Sequence, residues 1–241
     1  MEYSGVCDIG QKRTVNQDAV FMAANGETGI FCVADGMGGH SHGERASGEI
    51  VRELEVWWEN FREEDYNGEF SRMMFTLNQV LERANEAIYK MGNAQEICGT
   101  TVIVLFIHCG KYGVLSAGDS RIYLCRCLRV EQLTVDEVWE NQIDLSLSEQ
   151  EKRLHPNCGK LVNAIGIAKE ARITSVTNLT QAGSIFMLCS DGLYKMLPER
   201  SLRRYLKKCR RYPLDAMADK MLRDVYDRGA KDNVSVILVK M

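Results

Sequence analysis

Phe31-Cys32-Val33-Ala34-Asp35-Gly36 and Leu188-Cys189-Ser190-Asp191-Gly192 share one layout at distant places in the chain: an apolar run closes on a small residue and then on Asp-Gly. Leu115-Ser116-Ala117-Gly118-Asp119 repeats it in looser form. Short apolar runs rich in β-branched and aromatic residues and bounded by Asp or Gly read as strands, so each of the three pushes a carboxylate out at a strand end. Asp18 before Ala19-Val20-Phe21 and Asp232 before Asn233-Val234-Ser235-Val236 sit beside further strands. Asp-Gly after a strand is by itself a good turn. Its repetition shifts the reading toward a site, because a sheet that gathers these ends makes five carboxylates converge.

Working outward, the strand-like segments are residues 30–34, 101–107, 112–117, 121–125, 184–189 and 234–239. Between the first two lie two helical periods, one through Ala46, Ile50, Leu54, Trp57 and Phe61, the other through Met74, Leu77, Leu81, Ala84 and Ile88. A second helical pair follows Pro198, through Leu202 and Leu206, then Ala218, Leu222 and Val225. Strands, a helix pair, many strands, a helix pair and a last strand favour an α+β fold, a largely antiparallel sheet system covered by helices, over repeating βαβ units. Three prolines leave no linker, so 1–241 reads as one domain. Residues 131–172 are polar without a clean strand period, with a short helix expected inside 145–154, and read as an insertion near a site or a loose surface element.

The bulk numbers exclude several classes. A chain of 241 residues, 45% of them hydrophobic, can bury roughly 70–75% of its unfolded surface without staples. Thirty basic residues against 33 acidic ones give a net charge of −3, and mixed charges of this kind predict no basic stripe for nucleic acid. Apolar runs such as 102–107 fall far short of the ~20 residues that span a bilayer, and 1–13 lacks a signal-peptide core, so a soluble cytoplasmic protein is expected. Nine cysteines, an odd number with no C-x-x-C pair, read as buried reduced thiols of a reducing compartment. Cys125 and Cys127 are expected on one strand face, without the second pair that a zinc site needs.

Like charges about 4 Å apart repel by roughly 4 kcal/mol at an effective dielectric near 20, so a carboxylate cluster must be protonated or hold cations. Oxygen donors select hard ions, Mg²⁺, Mn²⁺ or Ca²⁺, and disfavour zinc; the glycines after Asp35 and Asp191 let a backbone carbonyl approach as a further ligand. Two such ions roughly 3.5–4 Å apart share a water, lower its pKa from 15.7 to about 7 and clamp both oxygens of a phosphoryl displacement.

Six motifs then stand in order: Gly10-Gln-Lys-Arg13-Thr-Val-Asn16-Gln-Asp18, Asp35-Gly-Met-Gly-Gly-His40-Ser-His-Gly43-Glu, Gly99-Thr-Thr, Gly118-Asp-Ser-Arg121, Ser190-Asp-Gly192 and Lys231-Asp-Asn233. Together they resemble the metal-dependent protein phosphatases of type 2C in their bacterial form. The resemblance implies a four-layer α-β-β-α sandwich of two antiparallel sheets flanked by helices. It implies hydrolysis of phosphoserine and phosphothreonine proteins, with a partner kinase and its targets as substrates, by attack of a metal-bridging water, in a monomer. By it, Asp18, Asp35 with the Gly36 carbonyl, Asp191 and Asp232 hold two ions, Mn²⁺ or Mg²⁺; Asp119 helps hold a third, and Arg13 grips the substrate phosphate.

Three departures stand out. Gln17 replaces a glutamate that contacts a metal through water, and Met37 stands where eukaryotic relatives carry the histidine general acid. His40 and His42 are the nearby candidates for that proton donor, His40 first. Residues 131–172 match the family's flap, but its Asp-His pair reads Asp136-Glu137. Two other readings stay open: a serine hydrolase using Ser41, since Gly39-His40-Ser41-His42-Gly43 fits G-x-S-x-G, and a catalytically silent interaction protein on the same fold. A P-loop is disfavoured because the Lys-Ser/Thr is absent.

Overall fold

Residues 102–107 carry no polar side chain, and a strand of that kind needs cover on both faces. The computed structural model, which describes residues 1–38, 42–92, 98–142 and 147–241, supplies it. Val102, Val104 and Phe106 face a helix layer, while Ile103, Leu105 and Ile107 face a second sheet.

In chain order the elements are β1 (Glu2–Asp8), β2 (Asp18–Asn25), β3 (Thr28–Gly38), α1 (His42–Glu59), a 3-10 turn (Glu63–Tyr66), α2 (Phe70–Met91), β4 (Cys98–Thr100), β5 (Val102–His108), β6 (Lys111–Ala117), β7 (Arg121–Arg126) and β8 (Arg129–Gln132). There follow α3 (Trp139–Gln142), α4 (Glu149–Leu154), β9 (Thr174–Leu179), β10 (Ile185–Cys189), α5 (Asp191–Tyr194), α6 (Glu199–Lys208), α7 (Leu214–Tyr226) and β11 (Val234–Lys240). One sheet runs β1-β11-β10-β7-β8 and the other β2-β3-β5-β6-β9, with β4 on β3; every pairing is antiparallel.

Three apolar clusters give the layers. Ile50, Leu54, Leu77, Leu81 and Ile88 of α1 and α2 pack on Ile30, Cys32 and Val104. Phe31, Val33, Leu105, Leu124, Phe186 and Ile237 fill the space between the sheets. Leu202, Leu206, Ala218, Met221 and Val225 of α6 and α7 cover Met187, Val236 and Leu238. The strict alternation along β3, with Ile30 and Cys32 to the helices and Phe31 and Val33 to the other sheet, is what a strand between two layers requires. The expected α-β-β-α sandwich is thus present, and all six strands read from the sequence exist.

Several details differ from expectation. β9 is exposed along its whole length, an edge strand with no apolar period to betray it. α1 ends at Glu59, so Phe61 follows the helix and stacks on Tyr66 instead. Only five cysteines are buried; Cys7, Cys109, Cys127 and Cys158 are exposed. Cys127 does not share a strand face with Cys125, because the β7–β8 hairpin turns on Cys127 and Leu128, both with positive φ. Charges are not evenly mixed either: α6 carries a one-sided basic stripe that a whole-chain tally hides. Within 131–172 a capping box starts α4, Ser148 Oγ accepting from the Glu151 amide and Glu151 reaching back to the Ser148 amide. The bridge Val138↔Leu161 closes this segment on itself, and Thr100↔Ile165 ties it to the body.

Phe106 stacks on Phe70 at 5.7 Å and meets Trp57 and Phe61 edge-on. Phe106→Ala should lower unfolding free energy in urea by about 3–5 kcal/mol, the usual cost of an aromatic-sized cavity.

Candidate metal centre and active site

The antiparallel register sets Asp18 of β2 directly opposite Asp35 of β3. Like charges in directly opposite positions destabilise a sheet, so this pair needs a compensating feature. Gly36 follows at a point of very close backbone approach: a Cβ there would stand 2.1 Å from the Gly43 carbonyl oxygen and 2.6 Å from that of Gln17. Its amide donates to the Gln17 carbonyl at 3.0 Å.

Asp18 joins the two sheets. It is buried, and one of its oxygens accepts hydrogen bonds from Ser190 Oγ at 2.8 Å and Ser235 Oγ at 2.7 Å, both at the ends of strands of the opposite sheet. Burial pushes its carboxyl up from 3.8 to about 6, against the two serine hydrogen bonds and with help from Asp191 and Asp232. The Asp35 carboxyl is likewise raised well above the ordinary carboxylate range, by burial first and then by Asp18, Asp191, Asp119 and Asp232. The other four aspartates therefore all lie within electrostatic reach of Asp35.

Three of the five have found cations of the chain. Arg13 grips Asp232 through Nε and Nη2, each at 2.8 Å. This fork, led by the hydrogen bonds to Asp232, holds the guanidinium pKa above its ordinary value. Lys195 Nζ lies 2.5 Å from Asp191 and 3.7 Å from Asp119. Partial burial opposes its charge, but Asp191 and then Asp119 keep the ammonium pKa raised. Asp119 is buried and also accepts from the Tyr194 hydroxyl at 3.0 Å. No described partner donates to the Asp35 carboxylate, and no three of these aspartates close to within 4.8 Å of one another among the described residues. Separated oxygen ligands around a shared gap, one of them unpartnered, fit hard cations spread over more than one position.

Neighbouring residues of the same motifs hold this arrangement. Asn233 accepts from the Gln17 amide at 2.9 Å and donates to the Ile9 and Val15 carbonyls, clamping the loop that carries Arg13. Gly192 leaves no room for a side chain, a Cβ lying 1.9 Å from the Asn233 carbonyl. Asp136 binds Arg121 in bidentate fashion at 2.6–3.1 Å, and the Arg121 plane covers Tyr194 at 3.6 Å. Glu137, where the family has histidine, accepts from the Gly118 amide at 2.8 Å and from Asn163 at 2.5 Å. The Asp136-Glu137 pair thus fastens the inserted segment to the Gly118-Asp119 loop. Gln17 turns its amide toward Gly43 at the start of α1, where a Cβ would meet Nε2 at 2.7 Å. His40 and Ser41 lie outside the described residues.

The family model of protein phosphatase 2C matches residues 10–227. Protein phosphatase PhpP of Streptococcus pneumoniae is 34% identical over 247 residues, covering 100% of this chain and 98% of the relative. The serine/threonine phosphatase of S. agalactiae superposes with a TM-score of 0.86 at 28% identity, over 98% of each chain. The catalytic domain of the serine/threonine protein phosphatase PstP, in complex with two manganese ions, superposes with a TM-score of 0.79 at 26% identity, over 98% of this chain and 96% of that one. The chain belongs to the protein phosphatase 2C family, the metal-dependent protein serine/threonine phosphatases.

The raised Asp18 carboxyl fixes a pH dependence. Because its folded value of about 6 lies above the unfolded one, protonated Asp18 favours the metal-free fold at low pH, and that contribution is lost as pH rises through 6. In EDTA at pH 8, Asp18→Asn should therefore melt at a higher temperature than wild type, with the gap closing toward pH 4. Mn²⁺ should raise the Tm of wild type far more than that of the variant.

Proposed function

We propose that this protein serine/threonine phosphatase holds two divalent cations, Mn²⁺ or Mg²⁺, on Asp18, Asp35, the Gly36 carbonyl, Asp191 and Asp232. The observation that carries the reading is the cross-strand Asp18–Asp35 pair, drawn into one group with three further carboxylates whose mutual repulsion asks for cations. When bound, such ions supply an activated water and offset charge on the phosphoryl group.

The chain's own groups do the rest. Arg13 presents its fork at the rim, its side chain about half exposed, and can pass from Asp232 to two oxygens of an arriving phosphate. Ser190 and Ser235 fix the Asp18 carboxylate, and Asn233 holds the Arg13 loop so that the fork stays at the site. Lys195 bears on the third ion expected at Asp119, because its ammonium already stands between Asp119 and Asp191 and must move for a cation to enter. We read residues 1–241 as one phosphatase domain with 131–172 as its flap, acting as a cytoplasmic monomer on phosphoserine and phosphothreonine proteins, among them a cognate kinase and its targets. No described helix is long and apolar enough to cross a membrane. His40 remains the proposed proton donor.

Asp35→Asn and Asp191→Asn should each abolish turnover of a phosphothreonine peptide while circular dichroism stays native. Activity that survives EDTA but is lost to a serine-reactive inhibitor would instead favour Ser41 as nucleophile. Arg13→Ala should raise KM at least as clearly as it lowers kcat, since a phosphate contact is lost. Lys195→Met should add an ion in metal analysis of the purified protein; unchanged stoichiometry would separate Lys195 from the third-ion position.

A further inference from the structure

The outward face of α6 carries Arg200, Arg203, Arg204, Lys207 and Lys208, and Arg211 continues the same stripe just beyond its end. The spacing is that of one helix side, and Leu202, Tyr205 and Leu206 occupy the other, buried against the sheet. These cations, with Arg210, line a groove of about 1020 Å³ together with Cys127 and Leu128 of the hairpin tip and Tyr212.

The groove is electrostatically unbalanced. Glu199 is already taken by Arg203 at 2.9 Å and by the Tyr123 hydroxyl, and Glu131 by Arg126 at 2.6 Å. The side chains of Arg200, Arg204, Lys207, Lys208 and Arg211 have no ion pair or hydrogen bond among the described residues. Like charges three and four residues apart oppose the helix. The helix dipole favours Lys207 and Lys208 in the last turn but disfavours Arg200 in the first. A protein of net charge −3 thus concentrates uncompensated positive charge in one concavity, which an anionic partner would relieve.

We propose that this groove docks an acidic, extended peptide segment of a phosphoprotein substrate, a step that rests on the phosphatase reading only for the link to substrate. Ten residues of α6 span about 15 Å, a length that about five residues of extended chain cover. Guanidinium forks match carboxylates in pairs, and Leu128 and Tyr212, both more than half exposed, offer apolar contact beside them. A bilayer fits less well. The apolar side of α6 is committed to the core and cannot insert, and cations that line a concavity do not all reach a plane. Nucleic acid is disfavoured by a single aromatic for stacking and by the short basic tract. A relay of side-chain contacts runs from the groove to the site. Arg203 contacts Glu199, Glu199 Tyr123, Tyr123 Arg121, Arg121 Tyr194, and Tyr194 Asp119.

The direct test is fluorescence anisotropy of an unphosphorylated, labelled hexaglutamate peptide with the full chain in EDTA. Arg204→Glu/Lys207→Glu/Arg211→Glu should weaken binding at least about tenfold, and rising salt should weaken wild-type binding. The neutral Arg204→Gln/Lys207→Gln/Arg211→Gln form guards against a folding defect and should weaken it as well. With Mn²⁺, the charge-reversed protein should lose about tenfold in kcat/KM on a phosphothreonine peptide with a hexaglutamate extension, yet match wild type on p-nitrophenyl phosphate. Equal peptide binding by wild type and both variants overturns the proposal. So does tighter, stripe-dependent binding of phosphatidylserine vesicles or oligouridylate than of the peptide. Stripe-dependent peptide binding with no hydrolysis of either substrate by wild type would support the groove and refute the phosphatase reading.

Discussion

The structure depends on a repulsion. Asp18 and Asp35 face each other across β2 and β3, where a folded chain ordinarily places side chains that attract. Asp18 is tolerated because Ser190 and Ser235 reach it from the other sheet. The same hydrogen bonds that make the carboxylate acceptable therefore also pin the two sheets together at the reacting end. Asp35 has no such help among the described residues, and its carboxyl is pushed up by burial and by every other aspartate of the group. The sandwich is consequently built around an electrostatic deficit that the proposed divalent cations would fill, and filling it would couple metal binding to stability as well as to catalysis.

Close backbone contact explains why the site can be so compact. Gly36, Gly43 and Gly192 each sit where a single methyl would collide with a carbonyl or a side chain. Around Gly36 the Gln17 carbonyl accepts from both the Gly36 amide and Ser47 Oγ, at 3.0 and 2.6 Å. One peptide group thus locks β3, the loop before β2 and helix α1 into a common position. Asn233 does the same from the far side of the chain, 216 residues from Gln17. The carboxylates are held by rigid backbone, and the repulsion among them cannot be relaxed by moving apart.

Much of this was legible in the sequence, for identifiable reasons. Strands buried on both faces, such as β5 and β10, are continuous apolar runs, and an aspartate closing such a run stands out against it. Helices α1, α2, α6 and α7 declare themselves by apolar period. What stayed hidden depends on partners far away in the chain. Nothing near β9 marks an exposed edge strand, and nothing near Asn233 says that its amide will clamp residues 9–17. The replacement of histidine by Glu137 left the inserted segment's contacts open, whereas the fold has it hydrogen-bonded to Gly118 and Asn163. The basic face of α6 was readable at helical spacing but vanished in a net charge of −3, because a sum over the chain discards position.

Lys195 shows how one residue can set the character of a shared site. The ammonium sits one helical turn after Asp191 and contacts both Asp191 and Asp119. It supplies positive charge where the family resemblance puts a further ion. A lysine is a point charge on a flexible stem, so it can leave for a cation or for a substrate phosphate, and its departure exposes two carboxylates at once. Tyr194, adjacent in sequence, holds Asp119 by its hydroxyl while Arg121 covers its ring, and Arg121 is fixed in turn by Asp136 of the inserted segment. The Asp119 side of the centre is thereby tied to the position of that segment: a shift of Asp136 would free Arg121, loosen Tyr194 and so alter how Lys195 and the proposed third ion share Asp119.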